Sequence, residues 1–259
     1  MSRNVGHPTA EPWISAVIPV FNEEDNLESV LEELVGELTS LGVSFEVLFI
    51  NDASTDRSLE VLDRLRAADG RIRVIRHRIN SGESAAQATG FRLARGDLIL
   101  TMDADGQNNP GDIPSLLEAL QDNADCVCGV RARRNDTMVK QFSSWAANKF
   151  RNFLTRDRVA DAGCTFRLMR KSALQEILVF NGMHRFIPTI LKLQGYRVTE
   201  VPVEDRPRAG GVSKYGVGNR LWRGIMDCLA MRWYAKRALP AQRTEMSEDD
   251  RQSSDPQVK

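Results

Sequence analysis

Two carboxylates separated by a single residue are the strongest chemical signal in the sequence. Asp103 and Asp105 flank Ala104, Gly106 allows the chain to turn, and the amide of Gln107 follows. Carboxylate and amide oxygens suit Mg²⁺ or Mn²⁺, and a partial shell of this kind leaves positions for water and phosphate oxygens. A plain acidic turn is the alternative, because Asp and Gly are common in turns. The segment predicts a divalent-cation site if a strand places it at the edge of a sheet.

The elements around this segment alternate between strands and helices. Short apolar runs at Ile14–Val20, Phe45–Ile50, Ile72–Ile75 and Leu98–Met102 predict strands. Helical periodicity separates them and is clearest over 27–38. This alternation predicts an α/β fold with a mostly parallel sheet and helices on both faces. Ligands bind such sheets beyond the carboxyl ends of the strands, which is where the acidic segment lies.

Composition excludes several classes of protein. The 259 residues carry 35 Lys and Arg against 35 Asp and Glu, so no basic excess is present to bind nucleic acid. A hydrophobic content of 42% is ordinary for a globular chain, and the length suffices for one large domain or two small ones. The four cysteines form no CxxC pair, so reduced structural thiols fit better than a disulfide framework.

The ends of the sequence are polar. Residues 1–12 contain no apolar segment typical of a secretory signal and predict a flexible N-terminus. Residues 241–259 are rich in Ser, Asp, Glu and Gln and predict a disordered tail. Apolar runs such as Trp13–Val20 are far shorter than the roughly 20 residues of a membrane-spanning helix. We therefore expect a cytoplasmic protein that does not cross a bilayer.

Six segments resemble one enzyme family. In chain order, between Trp13 and Ala238, they read PVFNEEDNL, INDASTD, NSGESAAQATGFRLARGD, DADGQNNP, DAGCTFRLMR and RAGGVSKYG. They are similar to segments of family 2 glycosyltransferases, above all the dolichol-phosphate mannose synthase branch, which loads sugars onto polyprenyl phosphates. The resemblance implies a GT-A fold, a Rossmann-like nucleotide-binding domain, over 13–216. It also implies an Mg²⁺ or Mn²⁺ ion and an inverting transfer from a GDP- or UDP-linked sugar.

On the donor side, the resemblance implies that Asp105 and Gln107 bind the metal, while Asp103 and Ala104 contact the donor. Asp52 matches the acidic residue that contacts the base or ribose. The residues implied to line the nucleotide or approach its diphosphate are Pro19, Phe21, Glu23 and Gly82. For the first two, strand termination and core packing are the alternative; for Asp52 it is a turn.

Glu83 departs from the family pattern, in which Lys or Gln is common at this position. An anionic side chain beside a diphosphate is unfavourable, so Glu83 is not included in the site. We expect it to point away or to reach a basic partner such as Arg78 or Arg92.

On the acceptor side, a phosphate needs positioning more than deprotonation, because the second pKa of a phosphate monoester lies near 6. The resemblance implies that Arg131 and Lys140 hold this phosphate together with Ser143 or Ser144. Asp161 is implied to contact the sugar or to orient Arg131. An exposed basic loop is the alternative for the segment that begins at Arg131.

A glycine-rich basic segment follows at 206–216 and matches the flexible loop of the family. Arg208 and Lys214 are implied to pair with the donor diphosphate, and Ser213 to contribute at the acceptor phosphate. Such a loop can close over a bound donor. An interdomain linker with solvated charges is the alternative.

Residues 217–240 predict an amphipathic helix. Its apolar stripe consists of Trp222, Ile225, Met226, Leu229 and Trp233, and Arg and Lys residues accompany it. Tryptophans with cations suit the headgroup region of an anionic leaflet, while an ordinary helix packed on the domain is the alternative. Many bacterial relatives continue into two transmembrane helices, but this sequence turns polar after Pro240. A membrane partner or a homo-oligomer therefore stays open as the source of membrane contact.

Together these residues predict a metal-dependent glycosyltransferase, peripheral on the cytoplasmic face of the membrane. It would move a mannose- or glucose-type sugar from a nucleotide sugar to a polyprenyl phosphate. The first rival is the same donor site acting on a saccharide or protein hydroxyl, with Asp161 as the candidate base. The second is a non-catalytic nucleotide-sugar-binding protein, and a metal-dependent nucleotidyltransferase is a more distant one.

Overall fold

A seven-stranded sheet forms the centre of the computed structural model, which describes residues 11–131, 149, 151–155, 157, 159–207 and 218–239. The strands are β1 Ile14–Val20, β2 Phe45–Asn51, β3 Ile72–Arg76, β4 Leu98–Thr101, β5 Cys126–Arg131, β6 Arg167–Arg170 and β7 Val198–Val203. Their order is β3-β2-β1-β4-β6-β5-β7. β6 runs antiparallel to both neighbours, and the other pairs are parallel.

Helices cover both faces of the sheet. They are α1 Leu27–Ser40, α2 Ser58–Ala68, α3 Glu83–Leu93, α4 Ile113–Gln121, α5 with described residues 151–155, α6 Ile187–Leu193 and α7 Gly218–Ala235. The buried residues of α1, α2 and α4 pack in one core, and those of α3, α6 and α7 in a second. The predicted α/β architecture with a mostly parallel sheet is confirmed.

Strand β1 shows how the sequence builds these two cores. Ile14, Ala16 and Ile18 face the first core and Val17 faces the second, because successive side chains of a strand point to opposite faces. All four side chains are fully buried, so β1 reads as a continuous apolar run. Because β1 pairs in parallel with β2 and β4, the carboxyl ends of these three strands meet at one edge of the sheet.

Several predictions about the ends of the chain fall on residues that the structure leaves out. Residues 1–10 and 241–259 lie outside the described residues, so the predicted flexible N-terminus and polar tail stay predictions. The predicted helix at 217–240 corresponds to α7. No helix in the described part of the chain is long and apolar enough to cross a membrane. All four cysteines are buried thiols.

Candidate active site

The acidic turn after β4 places Asp103 and Asp105 at the carboxyl edge of the sheet. The backbone N–H of Asp103 donates to Oδ1 of Asn108 at 2.8 Å, and its Oδ2 accepts from Oγ1 of Thr165 at 2.6 Å. Asp105 is 9% exposed. Both carboxylates are therefore held in a largely buried turn rather than in an open loop.

Burial changes the ionisation of Asp103. Desolvation raises its pKa above the usual range, and the negative charge of Asp105 adds to the rise. The hydrogen bond from Thr165 and the guanidinium groups of Arg167 and Arg131 lower the pKa of Asp103 and oppose this effect. Asp103 thus lies within electrostatic reach of one further carboxylate and two arginines.

A divalent cation fits this acidic turn. It would relieve the repulsion between Asp103 and Asp105, and their oxygens are the hard ligands that Mg²⁺ or Mn²⁺ prefers. Gln107, the other predicted ligand, donates its backbone N–H to Oδ1 of Asp105 at 3.1 Å and its Nε2 to the carbonyl of Arg206 at 3.3 Å. Its metal role stays a prediction. Across the described residues, no three His, Cys, Asp or Glu side chains form a common metal-holding group.

Arg131, the last residue of β5, pairs with Asp161 in a bidentate contact. Its Nε donates to Oδ2 at 2.7 Å and its Nη2 to Oδ1 at 3.0 Å. Burial lowers the pKa of Arg131, but the hydrogen bonds and charge of Asp161 outweigh this and raise it. A two-point contact fixes the plane of the guanidinium. The orienting contact that sequence predicted for Asp161 is therefore present, and it aligns a cation that also lowers the pKa of Asp103.

The chain leaving β7 runs alongside the acidic turn. The backbone N–H of Arg206 donates to the carbonyl of Gln107 at 3.0 Å, and its Nη2 donates to Oδ1 of Asn109 at 2.6 Å. Nδ2 of Asn109 in turn donates to Oε2 of Glu204 at 2.7 Å. The predicted basic loop therefore starts beside the acidic turn. Its residues Arg208, Ser213 and Lys214, like Lys140, Ser143 and Ser144, lie outside the described residues.

The first two strand-to-helix connections are joined by hydrogen bonds. The backbone N–H of Asn22 donates to Oγ of Ser54 at 3.0 Å, and that of Thr55 donates to Oδ1 of Asn22 at 2.7 Å. The backbone N–H of Glu23 donates to Oγ of Ser58 at 2.9 Å. The predicted nucleotide-lining residues Pro19, Phe21 and Glu23 are partly exposed at this edge of the sheet, so a nucleotide could reach them. Ala104 of the acidic turn is 4% exposed.

Asp52 follows β2 at the same edge, and its carboxylate already has several partners. Oδ1 accepts from Nδ1 of His77 at 2.7 Å and from the N–H of Ser81 at 2.9 Å, while Oδ2 accepts from the N–H of Gly82 at 2.7 Å. The predicted contact of Asp52 with base or ribose would require some of these bonds to break. The amides of Ser81 and Gly82 thus donate to Asp52, and the approach of Gly82 to a diphosphate stays a prediction.

Glu83 has a basic neighbour, as the sequence led us to expect, but this neighbour is His184 and not Arg78 or Arg92. Its Oε2 lies 3.6 Å from Nε2 of His184, and burial together with the charge of Asp103 raises the pKa of Glu83. The reason is helical periodicity, since position 83 shares the inward face of α3 with Ala86 and Gly90. That spacing is visible in the sequence.

Arg167, within the DAGCTFRLMR segment, is a buried cation that acts on the charges of the site. It is fully buried in β6, and its Nη1 donates to the carbonyl of His184 at 2.7 Å. Its charge lowers the pKa values of both Asp103 and Glu83. The buried guanidinium therefore offsets the negative charge behind the acidic turn.

Comparison with known proteins decides the family. Residues 15–178 match the family model described as glycosyl transferase family 2, which is more than half of the chain. The chain belongs to glycosyl transferase family 2. The predicted family is confirmed, and with it the assignment of this protein as a glycosyltransferase.

Two curated relatives of this glycosyltransferase are named after polyprenyl phosphates. Dodecaprenyl-phosphate galacturonate synthase of Rhizobium johnstonii is 32% identical over 239 residues, covering 90% of this chain and 70% of the relative. Undecaprenyl-phosphate 4-deoxy-4-formamido-L-arabinose transferase of Edwardsiella ictaluri is 34% identical over 206 residues. The match covers 79% of this chain and 63% of the relative. The chain thus spans less than two thirds of the second relative.

Solved structures confirm the GT-A fold of this glycosyltransferase. Glucosyl-3-phosphoglycerate synthase of Mycobacterium tuberculosis, in complex with Mn²⁺, UDP and phosphoglyceric acid, matches with a TM-score of 0.61 and 17% identity. The match covers 88% of this chain and 80% of the synthase chain. A mannosyltransferase of Pyrobaculum calidifontis with GDP-mannose and Mn²⁺ matches with a TM-score of 0.58 and 20% identity. The match covers 94% of this chain and 68% of the mannosyltransferase.

Proposed function

We propose that this glycosyltransferase transfers a sugar from a nucleotide sugar to a polyprenyl phosphate at the cytoplasmic face of the membrane. The observation that carries the proposal is the Arg131–Asp161 pair beside Asp103. A guanidinium fixed in this way is suited to hold an acceptor phosphate against the donor site. The names of the two curated relatives support the same acceptor class.

On the donor side, Asp105 and Gln107 hold Mg²⁺ or Mn²⁺, and Asp103 faces the donor. When bound, the cation neutralises charge that develops on the leaving nucleoside diphosphate. Arg208 and Lys214 of the basic loop pair with the same diphosphate and help to exclude water. The start of this loop beside Gln107 supports that arrangement.

On the acceptor side, Arg131 and Lys140 aim the phosphate oxygen at the anomeric carbon, with the serines Ser143, Ser144 and Ser213 as further donors. Because the attacking oxygen is already anionic near neutral pH, the reaction needs no general base. Transfer then proceeds as one in-line displacement with inversion, and positioning supplies most of the rate.

The contacts of Asp161 disfavour the rival with a hydroxyl acceptor. That reaction needs a base, and Asp161 is the candidate for it. Both of its carboxylate oxygens accept from Arg131, and Oδ1 also accepts from the N–H of Gly163 at 3.2 Å. With both oxygens engaged in these hydrogen bonds, Asp161 is poorly placed to accept a proton from a hydroxyl.

A transfer assay tests the proposal. Purified protein is incubated with Mg²⁺, a panel of radiolabelled GDP- and UDP-linked sugars including glucose, mannose and uronic acid types, and either a short polyprenyl phosphate or saccharide acceptors. We expect label to enter the organic phase only with the polyprenyl phosphate. Transfer to saccharides alone would establish the hydroxyl rival, and donor binding without any transfer would establish the non-catalytic one.

Helix α7 carries the membrane part of the proposal. Cys228 and Met231 are buried against the domain, whereas Met226, Leu229 and Trp233 are exposed. At about 100° per residue these two sets lie on opposite sides of the helix, so α7 has an outer apolar stripe besides its packed face.

Basic residues flank this outer stripe, which consists of Met226, Leu229 and Trp233. Arg232, Lys236 and Arg237 lie along it, and the Arg237 guanidinium is 5.0 Å from the ring centre of Trp233. An apolar stripe edged by cations matches the headgroup region of an anionic lipid surface. The stripe therefore docks the protein on the membrane that holds its lipid acceptor.

A further inference from the structure

His77 joins two elements at the donor edge of the sheet. Its Nδ1 donates to Oδ1 of Asp52 at 2.7 Å, and its Nε2 lies 2.9 Å from Oγ1 of Thr89 in α3. The side chain of Asp52 is 4% exposed and that of His77 is 15% exposed. A carboxylate oxygen accepts, so Nδ1 is the donor of the first bond, and Nε2 faces the Thr89 hydroxyl, which can donate or accept.

The same carboxylate holds the loop that leads into α3. Besides the bonds of Ser81 and Gly82 to Asp52, the side-chain Nδ2 of Asn80 donates to the backbone carbonyl of Asp52 at 3.2 Å. Gly82 has φ +86°, a left-handed conformation that favours glycine. The next residue, Glu83, faces the acidic turn. The position of residues 80–83 therefore depends on where the Asp52 carboxylate points.

We propose that His77 is a positioning residue for the donor, acting through Asp52 and the 80–82 loop. His77 orients the Asp52 carboxylate, the carboxylate fixes the Ser81 and Gly82 amides, and the loop then shapes the nucleotide edge of the site. The inference rests on the proposed use of a nucleotide sugar. The inference does not depend on whether Asp52 also contacts the base, because the His77 ring and the amides of Ser81 and Gly82 tie the carboxylate to the loop in either case.

Isosteric substitutions of His77 separate its two bonds. In His77→Asn the amide nitrogen occupies the place of Nδ1 and keeps the bond to Asp52, whereas His77→Gln keeps the end near Thr89 and loses Asp52. Donor affinity is measured by calorimetry with UDP- and GDP-linked sugars and no acceptor. We expect binding about tenfold weaker in His77→Gln and within about twofold of wild type in His77→Asn, since only His77→Gln loses the hydrogen bond to the Asp52 carboxylate.

Further measurements distinguish positioning from loss of folding. At saturating donor, kcat of His77→Gln should stay within about threefold of wild type, because the loop acts on donor binding and not on the transfer itself. Thr89→Val, which leaves the Asp52 bond intact, should bind donor like His77→Asn. Equal donor affinity in the Gln and Asn variants would overturn the inference.

Hydrogen exchange separates this inference from the proposed function. Without any ligand, the amides of Ser81 and Gly82 should exchange faster in His77→Gln than in wild type or His77→Asn, because their acceptor is no longer oriented. Unchanged protection in His77→Gln would overturn the inference by itself. If the wild-type protein binds no nucleotide sugar, the proposed function fails, and the positioning of the donor fails with it even where the exchange result is as expected.

Discussion

Asp103 shows how closely charge is balanced at the scale of single residues. Its carboxyl is partly buried, another carboxylate lies two residues away, and the charges of Arg131 in β5 and Arg167 in β6 lower its pKa. Neither arginine belongs to the acidic turn, so long-range packing supplies the cations. A bound divalent ion adds to this positive set and favours full ionisation of Asp103.

Loss of either carboxylate should abolish transfer. Asp103→Ala and Asp105→Ala each remove an oxygen ligand or donor contact, and we expect kcat/KM to fall by at least about a thousandfold, the scale seen when a key electrostatic group is removed. Initial rates with Mg²⁺ and saturating polyprenyl phosphate check this. Asp97→Ala is the matched control, since Asp97 is exposed just before the same strand and should keep wild-type rates. Near-normal activity in either site variant would refute the metal-site assignment.

Asp161→Asn tests the orientation of Arg131. An amide offers one acceptor oxygen instead of two, so the bidentate contact is lost and the guanidinium plane is released. We expect KM for the polyprenyl phosphate to rise about tenfold while donor affinity stays unchanged, because one charge-assisted hydrogen bond is worth about 1.5–3 kcal/mol. Steady-state kinetics with each substrate varied in turn gives both values. A fall in kcat with no change in acceptor KM would instead indicate a direct chemical role.

Local patterns predict some of these residues and not others. Asp103, Asp105 and Gln107 could be recognised because three candidate ligands follow one predicted strand within five positions. The partners of Asp52 lie 25 to 30 residues away, and His184 lies about 100 residues from Glu83. Contacts of that range depend on sheet order and helix rotation, which no short window of sequence contains.

At the scale of elements, strands with uniform apolar runs were predictable and mixed ones were not. β1, β2, β3 and β4 match the expected runs to within one residue at each end. β6 was not predicted, because it is four residues long and carries the fully buried charge of Arg167. β7 was missed as well, because its residues are mostly half-exposed or exposed and include Pro202. Strands β6 and β7 could therefore not be predicted from local patterns, and β6 is the strand that makes the sheet mixed.

The approach of α3 to β1 predicts opposite effects for two glycines within helices. A Cβ at Gly90 would lie 2.2 Å from Cγ1 of Val17, whereas one at Gly36 in α1 would meet nothing within 4 Å. We expect Gly90→Ala to destabilise by about 1–3 kcal/mol through overpacking. Gly36→Ala should stabilise by about 0.5–1 kcal/mol, since alanine favours helix. Urea unfolding of both variants checks this, and a stable Gly90→Ala would mean that α3 is farther from β1.

At the scale of the whole molecule, equal numbers of acidic and basic residues conceal a separation of charge. Acidic side chains meet at the carboxyl edge of the sheet, whereas Arg232 near the end of α7, and Lys236 and Arg237 directly after it, accompany the outer apolar stripe. A net charge of zero is therefore compatible with local attraction of the basic residues to an anionic surface.

Docking through the outer stripe of α7 should be detectable by sedimentation with lipid vesicles. The Trp233 and Leu229 side chains are 60% and 45% exposed, so Trp233→Glu and Leu229→Glu should fold normally. Each should reduce binding to vesicles with anionic lipid by about tenfold or more, since burial of a large apolar side chain is worth about 1.5–3 kcal/mol. Val179→Glu is the control, because Val179 is similarly exposed at 57% but lies outside the helix. Equal vesicle binding by all three variants would refute this surface.

A wild-type affinity that falls as salt increases would show that the basic residues beside the stripe contribute, because salt screens attraction between exposed charges.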